Sequence, residues 1–216
     1  MEKPLWQPSA ARIANASITA FAKEARRRWG VPGSDYDDLH HWSVSKPEQF
    51  WESVWSFCDM IGEPGTGPFL LDGNKMPGAR WFPEARLNFA ENLLRRRDKA
   101  PAIIFWSEER LKSTVTYAEL YAEVSRVAQA LKAMGVKPGD RVAGYMPNVP
   151  GTVIAMLAAT SLGAVWSSCS PDFGVQGVLD RFGQIEPKVL FAADGYFYNG
   201  KTIDLVDRLK EIVKGM

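Results

Sequence analysis

The sequence predicts an α/β fold in which an incomplete, mostly parallel sheet with crossover helices follows a helical, aromatic-rich N-terminal segment. After about residue 100, short apolar runs of strand length alternate with longer segments of helical periodicity. Strands joined through helices pair in parallel, with right-handed crossovers. Before that point, aromatic residues recur at helical spacing between irregular connections. We therefore predict two regions, 1–99 and 100–216.

The first region is predicted to contain two helices and a long loop. Apolar residues recur at helical spacing over 14–29, and Gly30 ends that helix. A second helix is predicted to start at Ser45, whose hydroxyl would form a capping box with Glu48. Residues 62–80 hold Gly, Pro and Asp at short intervals and are predicted to form a loop.

The second region alternates strand and helix to its end. In chain order the predicted elements are a strand over 102–106, a helix from the capping box at 116–119 to about 131, a strand over 141–146, a helix over 150–162, a strand over 164–168, a helix over 175–185, a strand over 188–192 and a helix over 202–213. A parallel sheet of about four strands that stops after a helix would leave an unpaired edge. We therefore expect the chain to be a fragment of a longer protein.

Composition excludes several classes of partner. The 26 basic and 25 acidic residues give a formal charge of +1, which offers no basis for a nucleic-acid or membrane-surface partner. No stretch approaches the ~20 apolar residues of a membrane span, and the first residues lack the apolar core of a signal peptide. We expect a cytoplasmic protein.

The residue types that most often carry chemistry are sparse. Cys58 and Cys169 are far apart and are expected to be reduced thiols, and the adjacent histidines at 40–41, placed in a strand or loop, would diverge. We therefore predict no metal site and no catalytic residue. The acidic pairs at 37–38 and 108–109 are predicted to be solvated loop residues.

One motif resembles an ATP-binding loop. Residues 195–202 match the pattern G-x-x-x-x-G-K-[ST] and lie between a predicted strand and a predicted helix. A phosphate loop needs small residues that adopt left-handed conformations, whereas 196–198 are Tyr-Phe-Tyr. Such ATP sites also use a carboxylate from a later strand, and no strand is predicted after this motif. We therefore do not interpret the motif as an ATP site.

Longer segments point to a family when they are taken together. They are PGARWFPEARLNFAENLL over 77–94, GDRVAGYMPN over 139–148, LGAVWSSCSPDFG over 162–174, RFGQIEPKV over 181–189 and DGYFYNGK over 194–201. Jointly they resemble the acetoacetyl-CoA synthetase family within the adenylate-forming superfamily. The run over 162–174 is the most discriminating, because acetyl-CoA synthetases carry a different, glycine-containing stretch there.

The resemblance implies an activity for the complete enzyme. Residues 1–99 would be the N-terminal region found in acetyl-CoA synthetase-like enzymes, and 100–216 the first part of the AMP-binding domain. Such an enzyme uses ATP and magnesium to convert acetoacetate and CoA to acetoacetyl-CoA through an acyl-adenylate. Its ATP loop and C-terminal catalytic lysine have no counterpart in these residues, so no turnover is expected from the chain alone. A different short acid such as acetate or propionate, or a truncated binding module without catalysis, stays open.

The resemblance also implies a place for CoA. Carried over by position, Tyr198 and Lys201 would face the phosphate or adenine of CoA, with Phe173 and Asp172 nearby. An ammonium suits a phosphate and an aromatic ring suits adenine. Acetyl-CoA synthetases carry arginines at this loop, so a lysine is a weaker, monodentate partner. The alternative, in which the rings of 196–198 pack the loop onto the sheet, stays open.

Overall fold

The computed structural model describes residues 5–33, 35–108 and 111–216, with residue 111 described by its backbone alone. The chain divides into two compact units, Met1–Leu87 and Asn88–Met216. The regions predicted from the sequence, divided at residue 99, stay a prediction.

The first unit contains helices with short strands after them. Its elements are α1 (Ala10–Ala14), α2 (Ser17–Trp29), α3 (Tyr36–Ser45), α4 (Pro47–Phe57), β1 (Gly62–Glu63), β2 (Leu70–Leu71), β3 (Arg80–Trp81) and β4 (Arg86–Leu87). The apolar faces of α2, α3 and α4 form one core. The Phe21 ring packs edge-on against Phe50 and Phe57, at centroid distances of 5.8 and 5.2 Å. The aromatic-rich, helical character predicted for this segment is confirmed.

Helix α4 does not begin in the predicted way. Lys46 is its N-cap residue and no side chain caps it. The carboxylate of Glu48 instead accepts a hydrogen bond from the backbone N–H of Phe69 at 2.5 Å. The capping box predicted between Ser45 and Glu48 is therefore wrong, because a long-range donor takes the carboxylate.

Helix α3 was not predicted. The side chain of Asp35 accepts from the Asp38 N–H at 3.0 Å, and the Asp38 carboxylate accepts from the Asp35 N–H at 3.3 Å. This reciprocal cap starts a helix that contains the acidic pair at 37–38 and the histidines at 40–41. Their assignment to loop or strand is wrong.

The segment predicted as a loop over 62–80 contains short strands. β1 pairs antiparallel with β4, and β2 pairs antiparallel with β3. These pairings bring together residues about ten to twenty-five positions apart. A strand of only two residues is too short to show the alternation from which strands are predicted.

The second unit carries the α/β fold. Its elements are α5 (Phe89–Leu93), β5 (Pro101–Ser107), β6 (Leu111–Thr116), α6 (Tyr117–Ala133), β7 (Arg141–Tyr145), α7 (Pro150–Ser161), β8 (Val165–Cys169), α8 (Val175–Phe182), β9 (Val189–Ala192), β10 (Gly195–Tyr198), β11 (Lys201–Asp204) and α9 (Val206–Gly215). The predicted cap of α6 is confirmed, since Thr116 and Glu119 exchange side-chain and backbone hydrogen bonds.

Within the described residues, the parallel sheet has the strand order β8-β7-β9. Successive side chains of β7 point to opposite faces. Val142 packs in the core formed with α6 and α7, whereas Ala143 and Tyr145 pack in the core formed with α8 and α9. The sheet is therefore covered by helices on both faces, and the predicted α/β class is confirmed.

Two elements differ from their predictions. The predicted strand over 102–106 belongs to β5, which pairs antiparallel with β6 outside the parallel sheet. Among the residues that the structure describes, the parallel sheet thus has three strands rather than the predicted four. The helix predicted from 202 begins instead as β11, which pairs antiparallel with β10. Asn199 and Gly200 join these strands with φ of 50° and 72°, the left-handed pair that a tight hairpin turn requires.

Candidate functional site

A cleft of about 450 Å³ opens outside the carboxyl ends of β7 and β8. We name it the edge cleft. Its lining consists of Phe105, Trp106, Ser107, Glu108, Pro147, Asn148, Val149, Ser170, Pro171, Asp172, Gly195, Tyr196, Phe197 and Tyr198. It is therefore built from the tip of the β5–β6 hairpin, the turns that leave two parallel strands, and β10.

Chain topology explains the position of the edge cleft. From the central β7 the chain crosses to β8 on one side, and from β8 it crosses back to β9 on the other. The helices of these two crossovers pack on opposite faces of the sheet. Where the strand order reverses in this way, the loops separate and leave a crevice at the carboxyl edge, which is where open α/β sheets bind ligands.

Asp172 is held in the edge cleft by two hydroxyl groups. Tyr196 donates to its Oδ1 at 2.6 Å and Ser170 donates to its Oδ2 at 2.9 Å. These hydrogen bonds, that of Tyr196 foremost, lower the pKa of the Asp172 carboxyl. The same bond, aided by desolvation, raises the pKa of Tyr196 to about 12. Asp172 is therefore a charged acceptor with a fixed orientation.

The turn that carries Asp172 is anchored from below. The hydroxyl of Tyr145, a fully buried residue, lies 2.8 Å from the Pro171 carbonyl and 2.7 Å from that of Phe173. Arg208 of α9 donates to the same Pro171 carbonyl at 2.8 Å and to the Tyr145 hydroxyl at 3.2 Å. A buried phenol and a guanidinium thus fix the backbone on both sides of Asp172.

The rim of the edge cleft joins the tips of two hairpins. The Glu108 carboxylate accepts from the backbone N–H of Asn199 at 2.6 Å and from that of Gly200 at 3.0 Å. Glu108 lies in the turn after β5, as predicted, but its carboxylate is engaged by these donors as well as exposed. Glu109, the other member of that acidic pair, lies outside the described residues.

The four residues predicted to contact CoA are distributed over the edge cleft and its rim. Asp172 and Tyr198 line it. Phe173 follows Asp172 outside the lining and is 38% exposed, with the Arg181 guanidinium 4.1 Å from its ring centroid. Lys201 is exposed, lies outside the lining, and pairs directly with Tyr198 across the hairpin. Residues paired in this way stand on the same face of a hairpin, so these two side chains share a face.

The β10–β11 hairpin contains the whole motif that resembles an ATP-binding loop. Residues 195–202 form two antiparallel strands and a tight turn, with β11 where a phosphate loop would begin its helix. Without a helix N-terminus after the loop, the backbone donors that surround a phosphate in such loops are not assembled. The interpretation that the motif is not an ATP site is supported.

Charge is unevenly distributed around the edge cleft. Its lining, within the described ranges, contains the carboxylates of Glu108 and Asp172 and no lysine or arginine. A phosphate would therefore meet carboxylates within the cleft, whereas Lys201 offers a cation beside the turn at its rim. Trp106 and Tyr198, which are 67% and 62% exposed, add aromatic rings to the lining, and the ammonium group of Lys112 lies 4.0 Å from the Trp106 ring centroid.

Some residues of the site had no signal in the sequence. Arg208 reaches the turn from 37 positions away, and nothing in the local pattern of α9 indicates that contact. Trp106 was predicted only as a strand residue, although its side chain lines the edge cleft. Pro147 and Asn148, which also line the cleft, belong to the 139–148 segment that the family resemblance singled out.

Residues 5–33, 35–108 and 111–216 contain neither a metal-binding cluster nor a membrane-spanning helix. No group of three or more His, Cys, Asp and Glu side chains lies close enough together there to hold a metal ion. In that same part of the chain, no helix combines the length and apolar character needed to cross a bilayer.

An open parallel sheet, helices on both faces and a crevice at its carboxyl edge define the class of an α/β ligand-binding protein. The family described as AMP-binding enzyme matches residues 89–215, more than half of the chain. The chain belongs to this family. The family described as acetyl-coenzyme A synthetase N-terminus matches residues 36–93.

Individual relatives agree with this assignment. The chain is 50% identical over 215 residues to an acetoacetyl-coenzyme A synthetase of Rhizobium meliloti (strain 1021), covering 100% of this chain and 33% of the relative. It is 36% identical over 222 residues to a malonamoyl-CoA synthetase of Penicillium aethiopicum, covering 100% of this chain and 30% of that protein.

A solved structure of acetoacetyl-CoA synthetase from Streptomyces lividans matches with a TM-score of 0.90 and 46% identity, covering 99% of this chain and 34% of that one. The chain thus spans about a third of the length of the relatives it matches. It corresponds to an N-terminal portion of a member of the AMP-binding enzyme family.

Proposed function

We propose that the chain is the N-terminal portion of an ATP-dependent acid–thiol ligase that converts acetoacetate and CoA to acetoacetyl-CoA through an acyl-adenylate. The observation that carries the proposal is the 50% identity to an acetoacetyl-coenzyme A synthetase across the whole chain. The match in fold to a second enzyme of that name, at a TM-score of 0.90, supports it.

The contribution of these residues is proposed to be a contact with CoA at the edge cleft. Lys201 would bind a phosphate of CoA, and Tyr198 would stack on its adenine. Asp172 would accept a hydrogen bond from an uncharged donor of the same nucleotide. Phe173, outside the lining of the edge cleft, would contact the same nucleotide with its ring, one face of which the Arg181 guanidinium already covers.

Other cofactors of the complete enzyme find no match in the described residues. Magnesium is proposed as a cofactor of the complete enzyme, and we assign none of its ligands to the described residues. The hairpin at 195–202 does not have the backbone of an ATP phosphate loop. We therefore assign this chain no step of adenylate formation and expect no turnover from it alone. We further propose that its partners are small-molecule substrates and the remainder of the enzyme. We also propose that the enzyme is cytoplasmic.

A different acid is the competing proposal. A malonamoyl-CoA synthetase also matches the whole chain, so the family resemblance extends to more than one acid. An enzyme of the relatives' full length that carries this chain would be assayed for thioester formation with acetoacetate, malonamate, acetate and propionate. A preference for acetoacetate in kcat/KM supports the main proposal, whereas a preference for any other acid refutes it.

The CoA contact is tested in the same enzyme by Lys201→Ala and Lys201→Arg. Loss of one exposed cation is expected to raise KM for CoA about three- to tenfold and to leave KM for ATP unchanged. The arginine variant should retain or lower KM for CoA, because its guanidinium can bind a phosphate with two hydrogen bonds. Lys214→Ala, an exposed lysine of α9, is the matched control. An unchanged KM for CoA in Lys201→Ala would rule out the contact.

A further inference from the structure

The tips of two hairpins are joined by one carboxylate. The Oε1 atom of Glu108 accepts from the Asn199 N–H at 2.6 Å, and its Oε2 atom accepts from the Gly200 N–H at 3.0 Å. The partners lie 91 and 92 positions apart in the chain. Glu108 itself has a φ of 35°, so its backbone is left-handed at the point where it presents this side chain.

The acceptor and the donors fit each other in charge and in shape. Asn199 and Gly200 both have positive φ, and successive N–H groups in such turns converge on an anion. A carboxylate has two oxygens to match the two donors. Hydrogen bonds to an ionised acceptor are stronger than those between neutral groups. One carboxylate therefore holds the exposed turn at 199–200 through two hydrogen bonds.

The fixed turn lies between the two residues proposed to contact CoA. Tyr198 directly precedes it and Lys201 directly follows it, paired across the hairpin. At the base of the same hairpin, Tyr196 is bonded to Asp172. A second bond at the base joins the Leu205 N–H to the Asp194 carbonyl. Without Glu108, the base would be held while the end that carries Tyr198 and Lys201 could pivot.

We propose that Glu108 is a positioning residue for CoA binding: it holds the turn at 199–200 so that Tyr198 and Lys201 face the ligand. This inference rests on the proposed CoA contact and assigns Glu108 no contact with CoA itself. Its carboxylate, engaged by two backbone donors, acts through the residues on either side of that turn.

The first test is independent of CoA. Hydrogen exchange of the peptide covering 195–204 would be measured by mass spectrometry in the full-length enzyme that carries this chain. Glu108→Gln is expected to accelerate exchange within this peptide at least tenfold, because an amide keeps only one acceptor oxygen. Glu108→Asp should give a smaller increase. Glu211→Gln, an exposed glutamate of α9, is the control. Unchanged exchange in Glu108→Gln would overturn the proposal.

The second test connects the turn to the ligand. Glu108→Gln is expected to raise KM for CoA about three- to tenfold, with kcat and KM for ATP within twofold. In a Lys201→Ala background the same substitution should have a smaller effect, since residues that act through one another are not additive. A melting temperature close to that of the parent enzyme verifies that the fold is intact.

The possible failures can be told apart. If Lys201→Ala leaves KM for CoA unchanged, the CoA contact itself is wrong, and the positioning role is overturned with it even when exchange accelerates. If Lys201→Ala raises KM but Glu108→Gln does not, the carboxylate only stabilises the fold and the positioning role alone is overturned. A lower KM in Glu108→Gln would also refute it, because the carboxylate would then compete with a phosphate for the turn.

Discussion

Tyr145→Phe removes a single oxygen atom from the support of the edge cleft. The Tyr145 side chain is fully buried in the core formed with α8 and α9, and its ring would stay in place. Its hydroxyl lies within hydrogen-bond distance of the Pro171 and Phe173 carbonyls and accepts from Arg208. The substitution therefore removes polar contacts without creating a cavity larger than one oxygen.

The cost follows from what each partner keeps. The Pro171 carbonyl retains Arg208 as a donor at 2.8 Å. The Phe173 carbonyl loses the hydroxyl at 2.7 Å that is its side-chain donor. Phe173 is 38% exposed and this hydrogen bond is only part-buried, so its loss is expected to cost about 1 kcal/mol of unfolding free energy. For a chain of this size, a loss of about 1 kcal/mol corresponds to a fall in Tm of roughly 2–4 °C.

Urea denaturation followed by far-UV circular dichroism measures this loss. Tyr36→Phe is the control, because Tyr36 is 69% exposed on α3 and its loss of a hydroxyl should change the unfolding free energy by less than about 0.5 kcal/mol. The slope of free energy against urea should be the same in both variants, so that a shifted midpoint reports stability. Equal stability of Tyr145→Phe and the control would refute the idea that the phenol anchors the 170–173 turn.

Two other predictions concern the hydroxyl beside Asp172 and the hairpin turn. Because the pKa of Tyr196 is raised to about 12, the native state favours the neutral phenol. The hydrogen bond from Tyr196 to Asp172 therefore contributes fully to the free energy of unfolding below the usual tyrosine pKa, near 10. That contribution is lost as pH rises through about 12. In absorbance titration at 295 nm, Tyr196→Phe should remove an ionisation near pH 12, and Asp172→Asn should shift that ionisation towards 10; an unchanged titration in both variants would contradict the hydrogen bond. Gly200→Ala should destabilise the chain by about 1 kcal/mol, since its φ of 72° strains any Cβ although no atom lies within 4 Å. Gly151→Ala, near the start of α7, is the control and should leave thermal stability unchanged or slightly raised, so an equal loss in both variants would exclude backbone strain as the cause.

Local signals in the sequence were sufficient for the elements whose hydrogen bonds are local. The capping box of Thr116 and Glu119 is complete within four residues, and it was predicted correctly. The one proposed at Ser45 failed because Glu48 bonds to Phe69, 21 positions away. The strand β11 failed for a related reason: its extended backbone depends on pairing with β10 across the turn, and its four residues alone fit a helix start equally well.

The candidate site divides in the same way. The resemblance to a family implied that Asp172 and Tyr198 lie near the same ligand; both residues line the edge cleft, and their contact with CoA stays a prediction. The groups that orient them come from distant segments. Arg208 and Tyr145 support the turn from α9 and from the central strand, and Glu108 holds the hairpin from another hairpin. No pattern within one segment specifies such contacts, since they exist only once the chain has folded.

The two carboxylates that line the edge cleft indicate which end of a bound CoA nucleotide would point into it. Asp172 already accepts from Tyr196 and Ser170, and Glu108 already accepts from two backbone N–H groups. Carboxylates disfavour a phosphate at close range and accept hydrogen bonds from uncharged donors, so the inside of the cleft suits the uncharged part of a nucleotide. Lys201 stands on the same hairpin face as Tyr198, beside the turn at the rim. The phosphate of a bound nucleotide would therefore lie at the rim near Lys201, with its base turned inward against the aromatic rings. Lys201→Glu, which reverses the charge, should then weaken CoA binding more than Lys201→Ala. Dephospho-CoA lacks one phosphate of CoA. If Lys201 contacts that phosphate, the binding of dephospho-CoA should change less with either substitution than the binding of CoA does.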